Sequence, residues 1–285
     1  MDYKIVMDSA GDLKEMEGAE FANVPLKIVA GEREFVDDVT TDVEEMVDYM
    51  SKFVGKSSTA CPSTGEYLEA FGDAEDVYCV TITSGLSGSY NAAAAAAELY
   101  KEQHPQRRIH VFDSLTAGPE MTLVAEKIRE LVQQKLPFDK IVSMVEEYNL
   151  KTQLVFSLES LHNLAQNGRV PVAVAKLAGI LSLRLVGKAS NEGTLQPTGK
   201  ARGDQKVPGE LLKQLISLGY KGGRVRIHHC CNLPSAERLK QAILEKFPKA
   251  SIMIQKTGAL CSFYAERGGM LVGSDLVKET LLLGR

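Results

Sequence analysis

Short apolar runs alternate with amphipathic stretches along the chain. Residues 3–7 (YKIVM) form an apolar run that breaks at Asp8-Ser9, the pattern of a buried strand followed by a turn. Residues 23–29 (NVPLKIV) read as a second strand, and the turn Ala30-Gly31-Glu32 leads into another over 33–36. Continuous apolar runs at 76–83 (DVYCVTIT) and 108–112 (RIHVF) read as further buried strands, the latter again ending in Asp-Ser, at Asp113-Ser114. Helical spacing covers 43–53, 63–71, 91–100, 119–135 and 138–149. Ser63 followed by Glu66 is a capping-box pattern. The alanine run at 92–97 belongs to a helix, because Ala has the best helix propensity.

Past residue 150 the alternation resumes. Strands are expected at 154–158, 183–189, 195–199, 224–230, 250–256 and 269–272. Helices are expected up to Gly168-Arg169 and over 172–180, 208–218 and 234–247. Such alternation implies an α/β fold with largely parallel or mixed sheets. We expect two α/β domains, an N-terminal one over 1–150 and a C-terminal one over 151–285.

Composition narrows the function. With Lys+Arg 33 against Asp+Glu 37, the net charge of −4 argues against nucleic acid as the main partner, which would need clustered cations. Aromatic residues make up only 6%, so the apolar mass is aliphatic and suits an aliphatic core or an aliphatic ligand. No stretch approaches the ~18 apolar residues of a membrane span. The first apolar run is too short for a signal-peptide core. The five cysteines form no C-x-x-C pair, and an odd number does not suit a full disulfide framework. A cytoplasmic protein with reduced thiols is the simplest expectation.

Candidate chemistry centres on strand ends, where open parallel sheets bind ligands. The turn Ser84-Gly85-Leu86-Ser87-Gly88-Ser89-Tyr90 lies between a strand and a helix. Its glycines allow close backbone approach, and its hydroxyls and the next helix's free N–H groups suit a carboxylate. Asp8 and Asp113 either join such a site or merely cap the turns that follow. Ser87 also nearly completes a G-x-S-x-G nucleophile elbow, so a serine hydrolase is one alternative. A binding module for another small anion is a second. Gly55-Lys56-Ser57 lacks the upstream glycine and preceding strand of a phosphate loop. His228-His229-Cys230-Cys231 alternates faces within a strand and offers no third or fourth metal ligand on one side. No metal site is therefore expected.

Taken in order, several segments resemble the DegV family of bacterial fatty-acid-binding proteins. They are IVMDSAGDL, VPLKIVAGEREFVDDV, Thr59-Ala60-Cys61-Pro62-Ser63 with Gly65-Glu66-Tyr67, ITSGLSGSYNAA, VFDSLTAG, LESLHNLAQNGRV and Lys200-Ala201-Arg202-Gly203. The resemblance spans nearly the whole chain. It implies a long-chain fatty acid such as palmitate or stearate held in an aliphatic tunnel between two α/β domains. Thr59 and Ser87 would bond the carboxylate, with Ser63, the Gly88 backbone and Tyr264 close by. No catalytic residue and no cofactor are implied. The partner would be the ATP-binding subunit of a fatty acid kinase, engaged through Arg169 and Arg202, and transient contact with a membrane surface is compatible with that role. One departure stands out. The family usually carries a His where this chain has Tyr264, and a Tyr hydroxyl donates a hydrogen bond without carrying charge near neutral pH.

Overall fold

The computed structural model describes residues 2–175 and 183–276. Thirteen strands lie among them: β1 (Tyr3–Asp8), β2 (Phe21–Val24), β3 (Lys27–Ala30), β4 (Arg33–Val36), β5 (Ser57–Ala60), β6 (Asp76–Thr81), β7 (Arg108–Asp113), β8 (Thr152–Leu158), β9 (Leu183–Ala189), β10 (Leu195–Arg202), β11 (Arg224–His229), β12 (Ser251–Lys256) and β13 (Met270–Asp275). The helices are α1 (Val43–Lys52), α2 (Thr64–Phe71), α3 (Ser89–Gln103), α4 (Pro119–Gln133), α5 (Phe138–Asn149), α6 (His162–Gln166), α7 (Val172–Ala175), α8 (Val207–Ser217), α9 (Leu233–Lys246) and α10 (Ala259–Ala265).

The apolar strands before residue 150 build a four-stranded parallel sheet in the order β2-β1-β6-β7. Helices cover both faces, which is why β6 is buried along its whole length and reads as an uninterrupted apolar run. Tyr67, Phe71, Ala93 and Tyr100 of α2 and α3 fill one face; Met121, Ile128, Phe138 and Ile141 of α4 and α5 fill the other. Residues 21–60 contribute a separate antiparallel sheet, β4-β3-β5. The expected strand over 23–29 is thus two strands in two sheets, broken at Pro25-Leu26. Proline lacks the N–H a ladder needs.

Strands after residue 150 form a six-stranded sheet, β10-β9-β8-β13-β11-β12. Only β11 and β12 pair in parallel; every other pair is antiparallel. The fold is α/β with one parallel and two mixed or antiparallel sheets. Strand patterning announced the strands but not their direction, since a connection's length and path set direction. The expected helix over 172–180 is seen as far as Ala175, and its remainder lies outside the described residues.

Helix α4 packs against both large sheets and is buried on nearly every side. Two carboxylates on it reach across. Glu126 accepts two hydrogen bonds from Arg226 of β11, at 2.9 and 2.7 Å, with both residues buried. Glu130 receives a similar pair from Arg224. A planar guanidinium matches a carboxylate in this two-bond geometry, which fixes orientation as well as distance. The two halves are therefore held in one register. Among the described residues, no helix is long and apolar enough to cross a membrane.

Candidate functional site

The carboxyl ends of β6 and β7 face the second half of the chain across an apolar cavity. Its unfilled space, open mouth included, is about 680 Å³. Leu26, Ile82, Leu86 and Ala117 line it from the first half. Leu154, Phe156 and Leu158 of β8, with Leu164, Leu195, Leu260, Ala265 and Leu271, line it from the second. The polar groups in the wall are few: Thr59, Ser87, Arg169 and Tyr264, beside the thiol of Cys261. An apolar pocket with a handful of placed polar groups is the usual form of a site for an amphipathic small molecule.

Each of those polar groups comes from a different element. Thr59 sits on β5, paired with Ile28 in the small antiparallel sheet. That strand, Ser-Ser-Thr-Ala, has no apolar run, so periodicity gave no sign of it. Tyr264 lies on α10, another element the sequence pattern did not mark. The helix has only seven residues and no side-chain cap of its own. Its first N–H groups are satisfied from far along the chain instead. Asp37 is fully buried and accepts from Ala259 N at 2.8 Å and Leu260 N at 3.0 Å. Asp12 accepts from Gly258 N at 2.7 Å. Lys14 Nζ neutralises Asp37 at 2.6 Å. Negative charge at a helix N-terminus is favourable there, and these contacts fix where α10 presents its ring.

The Tyr264 hydroxyl meets Thr59 Oγ1 at 2.7 Å. Burial pushes the phenol above its ordinary range, against the opposing effects of the Thr59 bond and of the Arg169 charge. Tyr264 thus stays neutral and able to donate across the physiological range. Ser87 lies beside them in the turn before α3, where its Oγ accepts from Ser89 N at 3.3 Å. Arg169 follows α6 and reaches toward the same turn. Its Nε donates to Leu86 O at 3.2 Å, and its Nη1 donates to Asn167 O.

Four of the sequence-named residues, Thr59, Ser87, Tyr264 and Arg169, therefore converge on one cavity. The other three stand outside its wall. Ser63 is an exposed N-cap of α2, its backbone N–H bonded to Glu66 at 2.7 Å and its hydroxyl at 2.8 Å. Gly88 is exposed at the N-cap of α3, beside Cys61 Sγ. Arg202 is exposed at the end of β10 and is not among the residues that line this cavity.

One glycine of the S-G-L-S-G turn makes room for another part of the chain. A Cβ on Gly85 would come within 2.8 Å of Glu192 O, so that glycine admits the tip of the β9–β10 hairpin. Gly193 answers it from the hairpin, with φ +72° and Thr83 Oγ1 at 1.9 Å from where its Cβ would stand. This small-residue contact seats the β9–β10 hairpin tip against the turn that carries Ser87.

Asp8 and Asp113 both prove to be internal braces. Asp8 is fully buried and accepts from Ile82 N at 2.8 Å, Ser89 Oγ at 2.7 Å and Ala10 N at 3.1 Å. Burial raises its carboxyl to about 6, with the hydrogen bonds opposing. Asp113 holds Ser84 through both its N–H and its hydroxyl. Together they anchor the two ends of the turn that carries Ser87.

Among the described residues, hydrolase chemistry at Ser87 finds no general base. None of the described His, Asp or Glu residues lies in the cavity wall, and a serine nucleophile needs a base within hydrogen-bond reach. His228 is buried elsewhere, its Nδ1 2.7 Å from Asp12. His229 Nδ1 accepts from Asn232 N at 3.1 Å. Among the described residues no group of three His, Cys, Asp or Glu side chains could hold a metal ion.

Comparison with known proteins places this arrangement. A DegV domain-containing protein of Streptococcus pneumoniae is 41% identical over 280 residues, 97% of this chain and 100% of that protein. Two solved structures superpose closely. A DegV family protein from Eubacterium eligens loaded with heptadecanoic acid gives a TM-score of 0.94 at 42% identity, covering 96% of this chain and 100% of the other. The Streptococcus pneumoniae Fatty Acid Kinase (Fak) B3 protein loaded with linoleic acid gives 0.95 at 40% identity, covering 97% and 100%. The family model described as "Uncharacterised protein, DegV family" matches residues 2–273. With its fold, its ordered motifs and its aliphatic cavity all in agreement, the chain belongs to the DegV family.

Proposed function

We propose that this protein binds a long-chain fatty acid in the cavity between its two large sheets and presents the carboxylate to a separate ATP-dependent fatty acid kinase. The observation that carries the reading is the cavity itself. Aliphatic side chains make most of its wall, and Thr59, Ser87 and Tyr264 gather in it as hydroxyl donors. Burying a sixteen-carbon chain at ~0.8 kcal/mol per CH₂ supplies roughly 12 kcal/mol before the costs of association. The hydroxyls then have only to fix the head group. Support also comes from the two similar structures, which hold heptadecanoic and linoleic acid.

In this reading Thr59, Ser87 and Tyr264 contact the carboxylate. Ser63 and Gly88 shape the segments that carry them, as the N-caps of α2 and α3. The protein is a carrier that needs no cofactor or metal of its own. The bound carboxylate would take the terminal phosphoryl group of ATP, giving an acyl phosphate and ADP on the partner enzyme. Arg169 and the exposed Arg202 are the residues we assign to that encounter. The two domains of this reading meet near residue 150, between the last strand of the parallel sheet and the first of the six-stranded one. Exchange of lipid at a membrane surface, in the cytoplasm, would load the carrier.

Mass spectrometry of solvent extracts from the purified protein tests the binding role. A long-chain acid recovered near one per chain is expected. Protein that neither co-purifies with such an acid nor takes one up would end the carrier reading. In a reconstituted assay with the partner kinase, Arg202→Ala should slow acyl phosphate formation while leaving the lipid bound, and unchanged turnover would remove Arg202 from the encounter.

A further inference from the structure

We infer that Cys230 and Cys231 form a redox pair, which hydrogen peroxide converts reversibly into a disulfide between neighbouring residues. Strand alternation would part them, since successive side chains of a strand point to opposite faces. The strand stops short of them. β11 ends at His229, so both cysteines lie in the turn beyond it. Cys231 has φ +51°, a left-handed value that residues other than glycine seldom adopt. The two thiols interact directly, as Cys231 acts on the Cys230 thiol by charge and through a side-chain hydrogen bond.

The two cysteines are unequal. Cys230 is 1% exposed, whereas Cys231 is open to solvent. Burial, followed by the charge of Cys231, pushes the Cys230 thiol up to about 12. Cys230 therefore keeps its proton, and Cys231 meets the oxidant. Positive charge stands beside the pair, Lys256 near Cys231 and Arg267 near Cys230, although both also pair with carboxylates of α1. Reactive cysteines sit in such electropositive, partly exposed surroundings. The Cys231 thiolate attacks the peroxide. An S–O bond forms as the O–O bond breaks, leaving a sulfenic acid and hydroxide, which takes up the proton Cys231 released. The Cys230 sulfur then attacks the sulfenic sulfur. Its proton leaves with the displaced hydroxide as water, and the S–S bond closes. In all, two thiols and one peroxide give one disulfide and two waters, with two electrons passing to the peroxide. Neighbouring Cα atoms stand only ~3.8 Å apart, closer than ordinary disulfides hold them, so the bond is strained and readily reduced.

Oxidation has a route to α10. The Cys230 thiol donates weakly to Ser262 O at 3.9 Å, and Cys230 packs with Phe263 and Ala265 in one apolar cluster. Its backbone is bonded to Gly268 and Gly269, just beyond that helix. A disulfide has no S–H to donate, and closing it draws the Cys230 sulfur toward the exposed Cys231. The helix that carries Tyr264 therefore loses a contact when the pair is oxidised, and regains it on reduction.

The test is peptide mapping of the full chain after stoichiometric hydrogen peroxide, with remaining thiols capped by iodoacetamide. Trypsin releases residues 227–238, which carry both cysteines. From oxidised wild-type protein this peptide should be uncapped and lighter than its reduced form by two hydrogens, and dithiothreitol should restore both thiols. Cys230→Ala should stop at a sulfenic acid on Cys231, which dimedone traps. Cys231→Ser changes an exposed side chain and should leave Cys230 reduced. Hydrogen exchange over residues 259–265 should quicken in oxidised wild-type protein and stay unchanged in peroxide-treated Cys231→Ser. Both thiols still capped in treated wild-type protein would overturn the inference. So would a bridge to another cysteine, or Cys231 driven to sulfinic acid without a bridge. A bridge that leaves exchange over 259–265 unaltered would overturn the link to α10. None of these readouts depends on the fatty-acid reading.

Discussion

Thr59 Oγ1 and Tyr264 OH lie 2.7 Å apart although 205 positions separate them in the chain. One rides on an edge strand of the small sheet and the other on a seven-residue helix of the second half. In the proposed reading, a carboxylate entering the cavity bonds both. Thr59→Val and Tyr264→Phe should therefore each weaken acid binding by about three- to tenfold, the worth of one hydrogen bond. Because they share a partner, the double variant should lose less than the two effects combined. Displacement titration on delipidated protein measures this, and strictly additive losses would show that the two hydroxyls act apart.

Asp37 should control the site without touching it. Its carboxylate is the acceptor for the first N–H groups of α10, and Lys14 is its ion-pair partner. Asp37→Asn removes the charge from a fully buried side chain and leaves the partly exposed Lys14 without its ion-pair partner. A stability loss of about 2–4 kcal/mol is expected in urea unfolding. Acid affinity should fall as well, because α10 carries Tyr264. Wild-type affinity in the folded variant would mean that α10 keeps its place by packing alone.

Ligand removal should be visible in the melting curve. A ligand that binds only the folded chain stabilises it by mass action, by about 2.7 kcal/mol at a hundred times Kd. For a chain of this size that corresponds to a rise of several degrees in Tm. Delipidated protein should melt lower than protein as purified, and adding oleate should restore the difference. Identical melting of the two forms would argue that the lipid is not held by the native cavity.

Glu120 makes stability depend on pH in a definite direction. It is buried on α4 and accepts hydrogen bonds from Thr116 and Thr152 at 2.5 and 2.7 Å. Burial raises its carboxyl from 4.5 to about 7, with both hydrogen bonds opposing. The folded state therefore holds this proton more tightly than the unfolded chain does. Its stabilising contribution is complete below the unfolded value and is lost as pH rises through about 7. Glu120→Gln keeps a neutral group there. Compared with wild type, it should gain on the order of 1–3 kcal/mol between pH 5 and pH 8. Urea midpoints of both proteins at the two pH values give the comparison; parallel pH dependence would assign the raised value elsewhere.

The contact of Gly193 with Thr83 should tolerate no side chain. Gly193→Ala would place a methyl 1.9 Å from Thr83 Oγ1 at a φ of +72°. A loss of about 2 kcal/mol or more is expected, from the clash and the left-handed backbone together. Thr83→Ala in the same chain should recover part of it, since only the clash is relieved. Chemical denaturation of wild type and the two variants decides whether the hairpin tip seats as described.

Local pattern carried much of the fold. Apolar runs marked β1, β6, β7 and β8; helical spacing marked α1, α4, α5 and α9; the Ser63–Glu66 capping box opened α2 as written. These elements are legible because their periodicity is a property of neighbours in the chain. β5 and α10 were not, since a polar four-residue strand and a seven-residue helix without its own cap carry no such signal. The resemblance grouped Thr59, Ser87 and Tyr264 around one carboxylate and set Arg169 aside for a partner. Only tertiary structure decided that they share a cavity, and that Ser63 and Arg202 stand apart from it. The physical reason is range. Burial of apolar faces can be read from a few adjacent residues. The site instead depends on contacts such as Asp37 with Ala259 and Thr59 with Tyr264, which exist only once the sheets have packed.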